Sequence, residues 1–219
     1  MPTLNIPKQP ALPLGPGDYA KAYQDRYSNI LRLYFNQLDS TNSALLGPLG
    51  MQYLDSPHIS ASDSTSQYAT ANDTPALVSW NTAASVKGFT LNPNNTATAQ
   101  VSGIYKISYS LQFANTANDA HDVFIWLRVN GGQIPNSSSR FTLRARKSAG
   151  NYNYIVAYAS VMFEAEEGDA VGLWWATDQA YISGTQDGIF MEALPAQTTP
   201  YVRPANPSAT GSIIFLGRA

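Results

Sequence analysis

The sequence predicts a mainly β protein: a two-layer β-sandwich preceded by an extended N-terminal arm and one long α-helix. Three observations carry this. Prolines crowd the first seventeen residues, a stretch free of Gly and Pro with helical spacing follows, and beyond residue 75 short strand-like runs recur between Gly, Asn and Pro. With 219 residues, 44% hydrophobic and 11% aromatic, the chain is long enough for one sizeable core plus appendages.

Residues 1–17, "MPTLNIPKQPALPLGPG", hold Pro2, Pro7, Pro10, Pro13 and Pro16. Each proline fixes φ and removes a backbone donor, so this segment is expected as an extended anchoring arm, either disordered or laid into a groove on another protein. It has no basic n-region and its apolar residues are interrupted, so it does not read as a secretion signal.

Residues 18–47 predict a helical stalk. Asp18 is the expected N-cap and "GPLG", with Gly47 and Pro48, the stop. Tyr27, Leu31, Tyr34, Leu38, Thr41 and Leu45 are spaced 4, 3, 4, 3 and 4, a heptad seam that Ile30 and Phe35 widen. About 28 helical residues would span about 42 Å. The alternative is a helix packed on its own domain.

Residues 48–75 are expected to be a linker, rich in Ser, Thr and Asp. Residues 76–219 then predict the β domain, with strands at 77–81, 96–101, 103–113, 124–129, 140–146, 154–164, 170–176, 188–193 and 212–217. The clearest is "GIYKISYSLQF", where Tyr105, Ile107, Tyr109, Leu111 and Phe113 share one face and Lys106, Ser108, Ser110 and Gln112 the other. "NGG" at 130–132 and "EEGD" at 166–169 supply turns.

Some runs are apolar on both faces. In "DVFIWLRVNGGQIP", Phe124 and Trp126 oppose Ile125 and Leu127; Tyr152, Tyr154 and Tyr158 oppose Ile155, Ala157, Ala159, Val161 and Phe163; adjacent Trp174 and Trp175 point apart. One face of each strand fills the sandwich. The other needs a second cover: a subunit, a ligand or a second domain.

Charged residues are 13% of the chain and the net charge is −2, which gives no long-range positive field for nucleic acid. The lack of cysteine excludes disulfides, thiolate chemistry and Cys-ligated zinc. No run approaches the roughly 18 apolar residues of a membrane span. Asn72, Asn94 and Asn136 begin Asn-x-Ser/Thr triplets and read as turn residues.

His58 and His121 read as loop histidines, since no Gly-x-Ser-x-Gly or His-Glu-x-x-His run accompanies them. Glu164, Glu166, Glu167 and Asp169 are the densest acids; a glycosidase pair or a calcium site is weighed there against a solvated hairpin turn, and the turn is favoured. No catalytic residue, metal ligand or cofactor is expected. Arg140, Arg144 and Arg146 alternate with Phe141, Leu143 and Ala145, which would set three guanidinium groups in a row beside Lys147. Such a row suits inter-subunit ion pairs or a solvated strand, or else contact with anionic surface sugars or a neighbouring protein.

The segments "VSGIYKISYSLQF", "FIWLRVNGGQI" and "VMFEAEEGDAVGLWW" resemble the jelly roll of tumour necrosis factor and the complement globular heads, with Gly103 and Tyr105, Asn130 and Gly131, and Gly168 and Asp169 at the matching places. "QYATANDTPALVSWNT", "WLRVNGGQIPNSSSRFTL" and "SIIFLGRA" are similar to virion proteins of tailed bacteriophages, marine and cyanobacterial ones especially. That similarity runs from Ser66 to Ala219; residues 1–62 resemble no domain we can name.

The resemblance implies a trimeric jelly-roll β-sandwich, hence a homotrimer whose interface would draw on Ile125, Trp126, Tyr154, Tyr158, Trp174 and Trp175, with the helical stalk on the same axis. It implies a non-enzymatic virion structural protein made in the infected bacterial cytoplasm: a knob or fibre tip anchored to other virion proteins by its arm and contacting a glycan or protein of the host surface. A head-decorating or tail-connecting protein without host contact is the alternative. A polysaccharide depolymerase is the most remote reading. Neither nucleic acid nor membrane insertion is expected.

Overall fold

A computed structural model of the chain describes residues 7–13, 17–18, 20–46 and 56–218. The chain divides into two compact units, Met1–Asp55 and Ser56–Ala219.

In the first unit, α1 spans Lys21–Leu46. It begins later than an Asp18 cap predicts, because the amides of Tyr23 and Gln24 donate to the Ala20 carbonyl at 3.1 and 3.2 Å, which puts Ala20 at the cap position. Tyr27, Leu31, Tyr34, Leu38, Thr41 and Leu45 are each half-buried, while Phe35 is exposed. The expected stop at Gly47 and Pro48 lies outside the described residues.

Residues 7–13 of the arm lie along this same helix, a third possibility beside disorder and another protein's groove. Pro7, Pro10 and Pro13 are half-buried and the residues between them exposed, the three-residue period of a polyproline II strand. At one end the Tyr23 hydroxyl donates to the Pro13 carbonyl at 3.0 Å; at the other, Pro7 lines a groove with Leu33, Gln37 and Thr41. Residues 7–13 therefore run antiparallel to α1.

The described residues of the second unit form thirteen strands: β1 His58–Asp63, β2 Ala76–Leu77, β3 Thr82–Lys87, β4 Phe89–Leu91, β5 Ala97–Ala99, β6 Gly103–Asn115, β7 His121–Val129, β8 Gly132–Gln133, β9 Ser139–Leu143, β10 Asn153–Ala165, β11 Ala170–Thr177, β12 Ile189–Met191 and β13 Ala209–Gly217. One sheet runs β10-β6-β13-β1-β3, with β12 also on β6; the other runs β4-β5-β11-β7-β8, with β9 also on β7 and β2 on β11. The eight principal strands β1, β5, β6, β7, β9, β10, β11 and β13 divide four and four between antiparallel sheets in double Greek-key order, so the unit is a jelly roll.

Alternation fills the space between the sheets. From β6, Tyr105, Ile107, Tyr109, Leu111 and Phe113 point inward to meet Val123, Ile125 and Leu127 of β7 and Leu173 and Trp175 of β11. Phe113 lies 5.4 Å from Trp175, and Tyr105 contacts Phe89, Phe163 and Phe215. This buried apolar area is the main source of stability.

The jelly roll starts at His58, well before the boundary expected at residue 76. β1 lies between β13 and β3 in the first sheet, with Ile59, Ala61 and Asp63 buried. "HISASD" conceals its alternation because, after Ile59, a small and an acidic residue occupy the inward positions. Buried Asp63 is nonetheless satisfied: it accepts from the Thr65 amide at 2.7 Å and from Asn81 Nδ2 at 3.0 Å.

The strand expected at 77–81 contracts to Ala76–Leu77, since the Ser79 amide bonds the Gln67 side chain at 2.7 Å and the Trp80 amide bonds Asn95 at 3.0 Å. β3 and β4 lack a sequence counterpart, β3 being an edge strand exposed at every position. The strand expected at 140–146 ends at Leu143.

Candidate binding surfaces

The two sheets present different outer faces. On the second, β7 turns Phe124, Trp126 and Arg128 outward while Val123, Ile125 and Leu127 enter the core. Across the strands, Trp174 stands opposite Trp126 and Gly172 opposite Arg128. The Arg128 guanidinium carbon lies 4.2 Å from the Trp174 ring centre and 5.6 Å from that of Trp126. A guanidinium over indole faces is attracted by their π-electrons.

Gly172 permits this packing. A Cβ there would come 2.9 Å from Leu77 Cδ1 and 3.3 Å from the Trp174 indole nitrogen. The Arg128 Nε and the Trp126 N–H are buried here with no acceptor among the described residues. At Arg128 and part of Trp126 the outer face of β7 is thus covered by its own strand neighbours, while Phe124 stays exposed.

Beside Trp126 lies a cleft of about 500 Å³, floored by Phe124 and Trp126 and walled by residues 133–138. The wall exists because the chain leaves the ladder after β8. Asn130 and Gly131, at φ of 50° and 79°, make the tight turn from β7 into β8, a geometry Asn-Gly adopts readily. Beyond it, the Ser137 hydroxyl replaces a ladder partner, accepting from the Leu127 amide at 3.1 Å and donating to the Ile134 carbonyl at 2.7 Å. These two bonds hold the loop against the strand.

On the first sheet, β10 turns Tyr154, Val156, Tyr158 and Met162 outward, exposed by 55%, 60%, 63% and 67%. Among the described strands β10 pairs only with β6, so its other edge is open. Ile214 and Leu216 of β13 add further exposed apolar side chains to this sheet. At one end, Tyr154 and Val156 border a pocket with Glu192 and Leu194. Burial raises the Glu192 carboxyl above the usual range, and burial followed by the charge of Glu192 and by Tyr152 raises the Tyr154 phenol.

The six aromatic and apolar residues expected at a trimer interface therefore divide. Ile125 and Trp175 are corrected to core residues, both completely buried, because strand alternation points them into the sandwich. Trp126 and Trp174 belong to the guanidinium ladder, while Tyr154 and Tyr158 lie on the open face of β10.

The basic row is also corrected. β9 ends at Leu143, so the alternation does not continue to Arg146. Arg146 is half-buried and bonds Asp187 at 3.0 Å and Asn118 at 2.8 Å, whereas Arg144 and Lys147 are exposed. Arg140, its side chain 63% exposed, lies opposite Phe124 and 3.8 Å from Asp122.

The acidic turn serves geometry. Asp169 accepts from the Glu166 amide at 2.8 Å and from Asn130 Nδ2 at 2.6 Å, tying the β10–β11 hairpin to the β7–β8 turn. Both histidines begin strands rather than occupying loops: His58 contacts the Ser56 carbonyl and Ser85 hydroxyl, each at 2.8 Å, and His121 contacts Asp178 at 3.3 Å. Among the described residues no three His, Asp or Glu side chains converge as metal ligands, and no helix is long and apolar enough to cross a membrane.

No family model matches the chain, and no curated protein matches it. Among solved structures it is similar to the Eiger TNF of S. frugiperda, with 11% sequence identity and a TM-score of 0.44 over 74% of this chain and 95% of that one.

Proposed function

We propose that the chain is a non-enzymatic structural protein of a phage virion, a homotrimeric jelly-roll knob held on the particle by its N-terminal segment and turned toward the host surface. The observation that carries the trimer is the outer face of β10, where four large side chains alternate in the open on a strand with a free edge. An exposed edge of this length templates uncontrolled pairing, and a closed ring of copies is one way to cover both edge and face. The virion role rests on the sequence resemblance to tailed-phage proteins. Three copies of each loop would let weak contacts with a repetitive surface add through effective concentration.

Light scattering on the full chain is expected to give three times 23.7 kDa, and the double variant Val156→Asp, Tyr158→Asp one times that mass with an unchanged far-ultraviolet spectrum. A wild-type monomer would sink the trimer. For the virion role, the protein is expected in purified particles, and the free trimer is expected to compete with them for adsorption. Incorporation without competition would favour the architectural alternative.

A further inference from the structure

We infer that the cleft beside Trp126 is a binding site for an acidic saccharide, a deepening that rests on the reading of the chain as an outward-facing knob. The floor is aromatic: Phe124 is exposed and Trp126 half-buried, its ring held by Arg128 and the strand beneath. One face of a pyranose ring is mostly C–H and packs on such a surface, while its hydroxyl groups need donors and acceptors around the rim.

The rim supplies them. Gln133, Asn136 and Ser138 line the wall and are exposed, and no hydrogen bond engages their side chains among the described residues. Other asparagines of this domain are used differently. Asn92 donates to Thr96 and Thr98, Asn115 to two carbonyls, and Asn130 to Asp169, so those amides are consumed in turns. Asn136, at φ 60°, is fixed by its backbone with the amide left over. A planar amide both donates and accepts, which suits neighbouring sugar hydroxyls.

Charge selects the acidic class. Arg140 stands opposite Phe124 with its side chain 63% exposed, so a cation flanks one end of the aromatic floor in a chain of net charge −2, while Arg128 is occupied by the Trp174 and Trp126 rings. Asp122, 3.8 Å from Arg140, leaves most of that guanidinium free for a sugar carboxylate. A proline-rich peptide could use the same rings, and its carbonyls could accept from the amides, but it would offer no anion to Arg140.

The test titrates the full chain with oligogalacturonate and with a neutral galacto-oligosaccharide of equal length, followed by tryptophan fluorescence and calorimetry. The acidic sugar is expected to bind at least about tenfold more tightly than the neutral one. Trp126→Ala is expected to lose about tenfold or more, Gln133→Ala severalfold, and Arg140→Ala to abolish the preference for acid; Arg144→Ala and Lys147→Ala should bind as wild type. Gln133 and Arg140 are exposed, so their variants keep the test valid if Trp126→Ala does not fold.

Absence of saturable binding, equal affinity for the two sugars, affinity unchanged in a folded Trp126→Ala, or displacement by a proline-rich peptide at lower concentration than sugar would each overturn the inference. A trimer present on particles that binds no saccharide overturns this inference alone. A saccharide-binding chain missing from particles overturns the virion reading instead.

Discussion

β7 and β10 are both apolar along two faces in the sequence, yet the protein completes them differently. β7 lies between β11 and the β8 and β9 segments, and its outward Trp126 and Arg128 pack with Trp174 across the ladder. β10 closes one edge of its sheet, and its outward Tyr154, Val156, Tyr158 and Met162 face β6 neighbours that are mostly polar, with Gln112 opposite Val156, Ser110 opposite Tyr158 and Lys106 opposite Met162. An outward aromatic is therefore not by itself a sign of a partner. What matters is whether the next strand offers it a mate.

This contrast breaks most sharply at adjacent residues of β7. Ile125→Asp places a carboxylate in the core with no cation near it, which should cost more than about 4 kcal/mol and leave no cooperative thermal transition. Trp126→Asp, one residue away on the outer face, should keep the jelly roll and its oligomeric mass. A folded Ile125→Asp protein would mean that the inward assignment of β7 is wrong.

For β10 the expected effect is on assembly. If copies of the chain cover its outer face, the wild-type melting temperature should rise with protein concentration, because association stabilises only the folded state. The Val156→Asp, Tyr158→Asp variant should melt at a temperature independent of concentration. Next in size is Gly172→Ala, whose added methyl meets Leu77 at 2.9 Å and pushes into the Trp174 indole. It should cost about 1–3 kcal/mol as overpacking does, measured by chemical denaturation, and should leave the mass unchanged.

The same rule explains what was legible in the sequence. β6, with its alternating Tyr105 to Phe113, could be read directly because every inward residue is large and every outward one polar. β1 could not, since "HISASD" turns Ala61 and Asp63 inward and the burial of Asp63 depends on Thr65 and Asn81. The both-faces signal at 123–127 and 174–175 was visible, but its division into core, ladder and cleft was not. That division depends on which strands are neighbours, and the pairing of β7 with β11 joins segments more than 40 residues apart. Likewise "SRFTLRARK" alternates in the sequence, but the strand ends at Leu143, and Arg146 is drawn to Asp187, a partner outside the run. The cleft left a fainter trace: "NGGQIPNSSS" places a tight turn before a Pro-Asn loop, which marks an excursion from the ladder without saying what it exposes.

The smallest expected effect is the most discriminating for β10. Glu192 lies half-buried in the pocket beside Tyr154 and Val156, and burial raises its carboxyl. An acid whose folded-state pKa exceeds its unfolded value holds more protons when folded. It therefore favours the folded state at low pH, and this advantage is lost as pH rises through the unfolded and then the folded pKa. Glu192→Gln removes that dependence, so at neutral pH the variant should melt about 1–2 °C above wild type, with the difference vanishing in acid. Cover by another copy would desolvate this carboxyl further. The neutral-pH difference should then be larger in the assembled protein than in a Tyr158→Asp, Met162→Asp background, whose new carboxylates lie outside the pocket and leave its solvent in place; equal differences in the two backgrounds would place the subunit contact away from this end of β10.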